Sequence, residues 1–423
     1  MGRNRLRLPF AVLATVIAAT VATLALRPRS GLIEPATVDP QAYFSAAEIE
    51  RARAFRGPQR ALGVGGLVVS GGVLALIALR PPRAVRRSLE RAGGRPLAGG
   101  AAVGAGLSLV LVVATLPLDA LAHARARDVG LSTQAFGPWL ADVAKAAGVG
   151  AVLSGAGAAG ALALVRRFPR RPWIPGAAAA VALSGAFVFL SPLLLEPIFN
   201  RFTPLPDGEL RSEVLRLAQR SGVDVGEVYR VDASRRTTGA NAYVGGLGQT
   251  KRVVLYDTLI ERFPPEQVRS VVAHELGHVR HRDLVRGLLW IALVAPAAMF
   301  LTQVLAERAW ASGATDEGAG GGSPGARLPA TPAALPALAL ALAFAWFAVG
   351  SAGNVLSRLV EARADGFALR LTADPEAFIA LERGLAVSNL TEPDPPYAWH
   401  LLLGTHPTTT ERIGFGLTYA RER

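Results

Sequence analysis

The chain has 423 residues, of which 51% are hydrophobic and only 18% are charged, whereas typical soluble domains contain about 25% charged residues. This composition excludes an ordinary soluble protein and indicates an integral membrane protein. The formal net charge is +13, but the arginines stand between long apolar stretches, so we expect contact with lipid headgroups and no nucleic-acid partner.

Seven stretches without a charged side chain are each about long enough to cross a bilayer, which needs roughly 20 apolar residues. The first follows three arginines and has a signal peptide as its alternative, but no clear small-residue cleavage site follows it. We therefore predict a mainly α fold, a membrane bundle of seven transmembrane helices. The stretches cover residues 9–26, 61–79, 97–118, 146–165, 173–195, 287–306 and 329–356.

The stretches divide the chain into four parts. Residues 1–195 hold the first five predicted helices, and residues 287–356 hold the last two with a Gly-rich flexible loop over 311–326 between them. Residues 196–286 and 357–423 are polar. We expect these two parts to form one domain outside the bilayer, built of helices and a small β-sheet.

The first polar part contains four predicted elements. Apolar residues at helical spacing predict a helix over 207–220, and short β-branched runs predict strands over 228–231 and 253–256. A Pro-Pro-Glu start followed by valines at helical spacing predicts a helix over 264–286.

The sequence HELGH lies on that last predicted helix, at residues 274–278. His274 and His278 are four residues apart, so they share a helix face and can bind one metal ion. Because the chain has no cysteine, the remaining ligands must be histidines or carboxylates, and the pattern is typical of one Zn²⁺ per chain. Glu275 points about 100° away from His274, where it reaches a water on the metal as a general base.

The segment SRLVEARAD, residues 357–365, directly follows the seventh apolar stretch. Glu361 and Asp365 are four residues apart, a pair that is common on solvated helix faces. The HELGH motif favours another interpretation: Glu361 completes a two-histidine, one-glutamate zinc site, and Asp365 orients a liganding histidine.

The other histidines are assigned by their surroundings. His406, in THPTTTER, is either a structural turn residue or a group that stabilises the oxyanion beside the metal; we expect the second role. His123 and His281 are expected at the surface, and His400 is left without a role.

At these motifs the chain resembles the type I CAAX prenyl endopeptidases, the seven-span membrane metalloproteases of the gluzincin group. HELGH, SRLVEARAD and THPTTTERI occur in the family's order, and the likeness covers nearly the whole chain. Further matching segments are EIERARAFRGPQRALG (48–63), LLLEPIFNRFTPLPDGELR (193–211), NAYVGGLGQTKRVVLYDTLI (241–260) and NLTEPDPPYAW (389–399).

The resemblance implies that His274, His278 and Glu361 bind zinc, that Glu275 is the base, and that Asn241 and His406 lie near the cleft. It makes residues 196–286 and 357–423 the two parts of a zinc metallopeptidase domain that closes a large chamber between the helices. Ala362 and Val279 depart from the aromatic residues common in the family, which leaves the prenylated substrate less well supported than the peptidase chemistry.

The substrate is expected to be a peptide or a membrane protein. Residues 253–256 are interpreted as an edge strand that pairs with an extended peptide, so Val253, Val254 and Leu255 are expected substrate contacts. The family resemblance adds Asn241 to them. Two alternatives stay open: a heat-shock membrane peptidase, a class that usually has about four spans, and a membrane transporter or receptor without enzymatic activity.

The expected location is a bacterial cell membrane, crossed several times. Counts of basic residues on the two sides are nearly balanced once the flanks of the long segments are included, so charge does not decide the orientation. The family resemblance favours a cytoplasmic catalytic domain.

Overall fold

The computed structural model describes residues 6–246, 251–313 and 327–423. Within them, seven helices are long and apolar enough to cross a membrane, which confirms the predicted number of spans. The first five are accompanied by two short helices, Arg83–Ala92 (α3) and Glu196–Phe199 (α7). The spans are Arg7–Leu26 (α1), Ala46–Leu79 (α2), Pro96–Asp128 (α4), Phe136–Arg167 (α5), Trp173–Leu194 (α6), Asp283–Gly313 (α11) and Leu335–Thr372 (α12).

The membrane helices expose large apolar side chains instead of burying them. Val68, Val152 and Phe344 are 68%, 71% and 71% exposed. Exposure on this scale is unfavourable in water and ordinary in lipid, where helices associate through close packing of small residues. At Gly104, an added Cβ atom would lie 2.5 Å from the backbone oxygen of Ser154, so this glycine allows α4 and α5 to approach closely.

The polar domain contains a mixed four-stranded sheet in the order β1-β2-β4-β3. Strands β2 and β4 are parallel, and the two outer strands pair antiparallel to them. The strands are Phe202–Pro204 (β1), Glu227–Val231 (β2), Ala242–Gly245 (β3) and Arg252–Tyr256 (β4). The helices of this domain are Glu209–Ser221 (α8), Asp257–Arg262 (α9), Pro265–Arg280 (α10), Pro375–Ser388 (α13), Tyr397–Leu403 (α14) and Thr409–Arg421 (α15).

One helix continues from the membrane into the polar domain. The seventh predicted span ends at residue 356, yet α12 runs without a break to Thr372. Helix α12 packs against α10 and α15, and α13 packs against the same two helices. The residues SRLVEARAD therefore sit on the extension of a membrane helix, which fixes their direction relative to the bundle.

Two predicted elements differ from the structure. The strand over 253–256 exists, but its position at the edge is wrong, because β4 lies between β2 and β3. The helix over 264–286 is also wrong in its extent. It ends at Arg280, Arg282 adopts a left-handed backbone with φ +55°, and α11 begins at Asp283.

The structure also bears on the predicted loop and on the two histidines that were expected at the surface. Of the predicted loop 311–326, residues 314–326 lie outside the described part, and residues 311–313 are the last residues of α11. His123 is not at the surface: it is buried, and its ring stacks on Trp139 with the ring centroids 4.8 Å apart. His281 is half-buried, and its ring is perpendicular to that of Phe367, with the ring centroids 5.4 Å apart.

Candidate metal centre

Helix α10 presents its two histidines by burying its other faces. Val268, Val272 and Leu276 pack into the core that also holds the sheet and α8. This packing sets the rotation of the helix, because a helix repeats every 3.6 residues. His274 and His278 then point together toward α12, and their Nε2 atoms lie 3.1 Å apart.

Helix α12 brings a carboxylate to the same point. Glu361 Oε2 lies 3.2 Å from His274 Nε2, and Glu361 Oε1 lies 3.6 Å from His278 Nε2. The approach of the two helices depends on Gly277, where an added Cβ atom would lie 3.1 Å from the Phe367 ring. The third predicted ligand is therefore brought to the two histidines.

Both imidazoles are oriented by carboxylates on their far side. His274 Nδ1 lies 2.7 Å from Asp365 Oδ1, and His278 Nδ1 lies 3.1 Å from Asp283 Oδ2. A ring nitrogen that faces a carboxylate carries the proton, so in each neutral ring Nε2 holds the lone pair. Two lone pairs and a carboxylate pointing at one place are an arrangement that could hold a metal cation.

The electrostatics of the site agree with this geometry. Burial alone would lower the pKa values of both imidazoles, but Asp365 and Glu361 raise the pKa of His274 to about 10. Asp283 and Glu361 likewise raise the pKa of His278 to about 9. Positive charge is thus favoured at this point of the structure, and either a proton or a metal cation can supply it.

A metal ion fits the residues present. One ligand atom from each of His274, His278 and Glu361 lies within 4.8 Å of the others. Glu361 Oε2 is buried and has no hydrogen-bond partner, which is unfavourable for a carboxylate unless a cation binds it. Two imidazoles and one carboxylate, with a further position open, form the ligand set of catalytic zinc sites.

Glu275 lies beside the ligands and outside the set that converges. Burial raises the pKa of its carboxyl group, while the two neighbouring imidazoles oppose that change. A carboxylate with a raised pKa is better able to accept a proton near neutral pH and to release it again. Its surroundings therefore suit a general base.

His406 stands on the loop before α15, on the open side of the site. Its side chain is 58% exposed, and its Nε2 lies 3.3 Å from Glu361 Oε2. Thr405 Oγ1 lies 2.9 Å from His406 Nδ1, and a hydroxyl that donates there leaves the proton on Nε2. An N–H group facing the site from an exposed position can donate to a substrate carbonyl.

Replacing His406 by Ala is expected to lower turnover by about 100- to 1,000-fold, the usual effect of losing one oxyanion donor. The zinc content should stay at the value of the unmodified protein, because His406 does not complete the ligand set. Turnover and bound metal are measured on the same preparation, with His400→Ala as the matched control on α14. Unchanged turnover would return His406 to a structural role.

Sequence reasoning missed the residues that support this site from other elements. Asp283 becomes visible only if α10 ends before it, and Arg363 and Arg286 hold its carboxylate from α12 and α11. Arg412 on α15 donates from Nε to Asp365 Oδ2 over 2.8 Å. Arg412 lies within the motif THPTTTERI, but its contact with Asp365 could not be predicted from the sequence, because it depends on the packing of distant helices.

Of the four predicted substrate contacts, one is exposed and three are buried. Asn241 is exposed at the start of β3, and β3 packs against α10. Val253, Val254 and Leu255 are fully buried on β4, whose backbone pairs on both sides. The prediction that these three residues bind substrate is wrong, because no edge of β4 is free.

Comparisons with known proteins agree with the site. The family model described as Peptidase family M48 matches residues 204–415. The chain is 30% identical to the uncharacterized metalloprotease YhfN of Bacillus subtilis over 73% of this chain and 70% of that protein. It is 39% identical to a CAAX prenyl protease 1 homolog of Arabidopsis thaliana, over only 27% of either protein. The crystal structure of S. mikatae Ste24p superposes with a TM-score of 0.76 at 18% identity, covering 98% of this chain and 99% of that one.

Proposed function

Because this chain belongs to peptidase family M48 and is a membrane metalloendopeptidase, we propose that it binds one zinc ion through His274, His278 and Glu361. The convergence of their ligand atoms, each imidazole held from behind by a carboxylate, is the observation that carries the proposal. When bound, zinc supplies Lewis acidity that lowers the pKa of water to about 7 and polarises a carbonyl group.

The residues of the chain perform the proton transfers. Glu275 accepts a proton from the attacking water and passes it to the nitrogen of the leaving amine. His406 donates its Nε2 proton as a hydrogen bond to the carbonyl oxygen, where negative charge develops. Asp365 and Asp283 hold the two liganding imidazoles in the tautomer and direction that the ion requires.

The strand that receives the substrate is proposed to be β3. On one side it pairs with β4, and no strand among residues 6–246, 251–313 and 327–423 covers its other side. An extended peptide adds to such an edge through main-chain hydrogen bonds. Asn241 directly precedes this strand, so it remains a proposed substrate contact.

A complex with a non-cleavable peptide inhibitor tests the binding mode. We expect the inhibitor backbone to run along residues 242–245, with its metal-binding group at His274 and His278. Proline at a main-chain donor position of the inhibitor should weaken binding, whereas proline one residue away, where the N–H faces solvent, should not. A backbone placed away from residues 242–245 would contradict the proposal.

The physiological substrate is proposed to be a membrane-associated protein or peptide. The CAAX prenyl protease relatives are matched over only about a quarter of their length, so cleavage of prenylated proteins remains one specific form of this proposal. Cleavage of damaged membrane proteins, as in the heat-shock class, is the other form. The seven spans among the described residues favour the first form, because the heat-shock class usually has about four.

The chain is a multi-pass membrane protein, and its catalytic domain is proposed to face the cytoplasm of a bacterial cell. The family resemblance supports this orientation, whereas the short basic loops at the opposite end of the helices favour the reverse. A reporter active only outside the cytoplasm, fused after Arg423, should give no signal. The same reporter inserted in the loop between α5 and α6 should be active, and an inverted pair of signals would overturn the orientation.

A further inference from the structure

A buried carboxylate lies behind the metal centre, outside the residues that contact an ion or a substrate. Glu382 is on α13, and only 3% of it is exposed. Its Oε2 forms an ion pair with Arg412 Nη1 at 2.7 Å, and its Oε1 is buried without a hydrogen-bond partner. Burying a carboxylate is costly unless an opposite charge compensates it, so its presence needs an explanation.

Arg412 connects Glu382 to the site. Its guanidinium donates through Nε and Nη2 to the two oxygens of Asp365, and its Nη1 forms an ion pair with Glu382. The group is planar, and its donors have a fixed fork geometry. Two carboxylates at different edges therefore fix both its position and its plane, and Asp365 cannot turn without breaking this contact.

Asp365 in turn fixes His274. Its Oδ1 atom receives Arg412 Nη2 and lies 2.7 Å from His274 Nδ1. The chain of contacts Glu382–Arg412–Asp365–His274 thus passes through α13, α15, α12 and α10. All three supporting groups are buried or nearly so, since Asp365 is 0% exposed and Arg412 is 15% exposed.

The charges of the three groups also suit a cation. Asp365 alone could hold His274, but Arg412 beside it cancels the negative charge. Glu382 adds a second carboxylate beside Arg412; burial raises the pKa of Glu382 to about 7, and Arg412 opposes that change and favours the ionised form. Without Glu382, Arg412 Nη1 would lose its carboxylate partner, and Asp365 alone would hold the guanidinium.

We propose that Glu382 is a positioning residue for the metal centre, which holds Arg412 against Asp365 and thereby keeps His274 aimed at the ion. This inference rests on the proposed zinc site. Glu382 acts only through Arg412, so it touches neither metal nor substrate.

The test compares zinc affinity in three variants of the full-length protein, measured by competition with a chelator of known affinity. Glu382→Ala is expected to weaken zinc binding by about 10- to 100-fold, as losses outside the ligand set typically do. Glu382→Gln keeps an oxygen acceptor within reach of Arg412 and should recover most of that loss. Glu376→Ala changes an exposed glutamate of the same helix and should bind zinc as the unmodified protein does.

Thermal unfolding of the zinc-free forms separates positioning from a merely structural role. A structural role lowers the unfolding temperature of zinc-free and zinc-loaded protein alike and leaves the zinc affinity unchanged, which would overturn the proposal. If Glu382→Ala does not fold, the zinc affinity of Glu382→Asp provides the test, because the shorter side chain keeps the carboxylate but moves it away from Arg412. Several-fold weaker zinc binding supports the proposal, and unchanged binding contradicts it. Failure of the unmodified protein to bind zinc would instead reject the proposed function.

Discussion

Replacing Glu275 by Gln is expected to abolish peptide hydrolysis, with a loss of at least about 10²- to 10⁴-fold, while about one zinc ion per chain remains bound. The amide has nearly the shape of the carboxylate but cannot accept the proton of the attacking water. The ligand atoms of His274, His278 and Glu361 are untouched by this change. Hydrolysis of an internally quenched peptide and metal content are measured on the same purified sample.

Glu261→Gln is the matched control, since Glu261 is an exposed glutamate on α9. It should retain both activity and zinc. Loss of zinc in the Glu275 variant would show that Glu275 is a ligand, and retained hydrolysis would show that another group is the base.

The second large effect is expected on removal of the third ligand. Glu361→Ala leaves two histidines, which form an incomplete site, so zinc affinity should fall by more than the roughly 10- to 100-fold typical of an outer partner. Asp365→Ala and Asp283→Ala should lie within that smaller range, because each leaves the ligand set intact. Zinc affinity is measured by chelator competition in all three variants. Equal losses in the three would contradict the assignment of Glu361 as a ligand, and full zinc retention in Glu361→Ala would place the ligand elsewhere.

Features encoded locally were predictable from the sequence. The seven spans follow from the length and polarity of their stretches, since a membrane imposes a minimum apolar length on each helix. The pairing of His274 with His278 follows from helical geometry alone. Glu361 was found because its four-residue spacing to Asp365 became informative once HELGH required a further ligand.

Features that depend on packing between distant segments were not predictable in this way. The apolar sequence of residues 253–256 is compatible with an edge strand and with an interior strand. Only the pairing of β4 with both β2 and β3 shows that it is an interior strand. The break after Arg280 has no glycine or proline to mark it, although it places Asp283 behind His278. The contact between Glu382 and Arg412 joins α13 to α15, and neither residue stands in a pattern that suggests a charge in the core.

The most direct measurement is removal and stepwise return of zinc in the purified full-length protein. Stripping the metal with a chelator should abolish hydrolysis of the quenched peptide, and activity should rise with added zinc until about one equivalent is bound. The protein carrying both His274→Ala and His278→Ala should show no such recovery. Hydrolysis that persists in metal-free protein, or recovery that does not require these two histidines, would contradict the zinc centre proposed on α10 and α12.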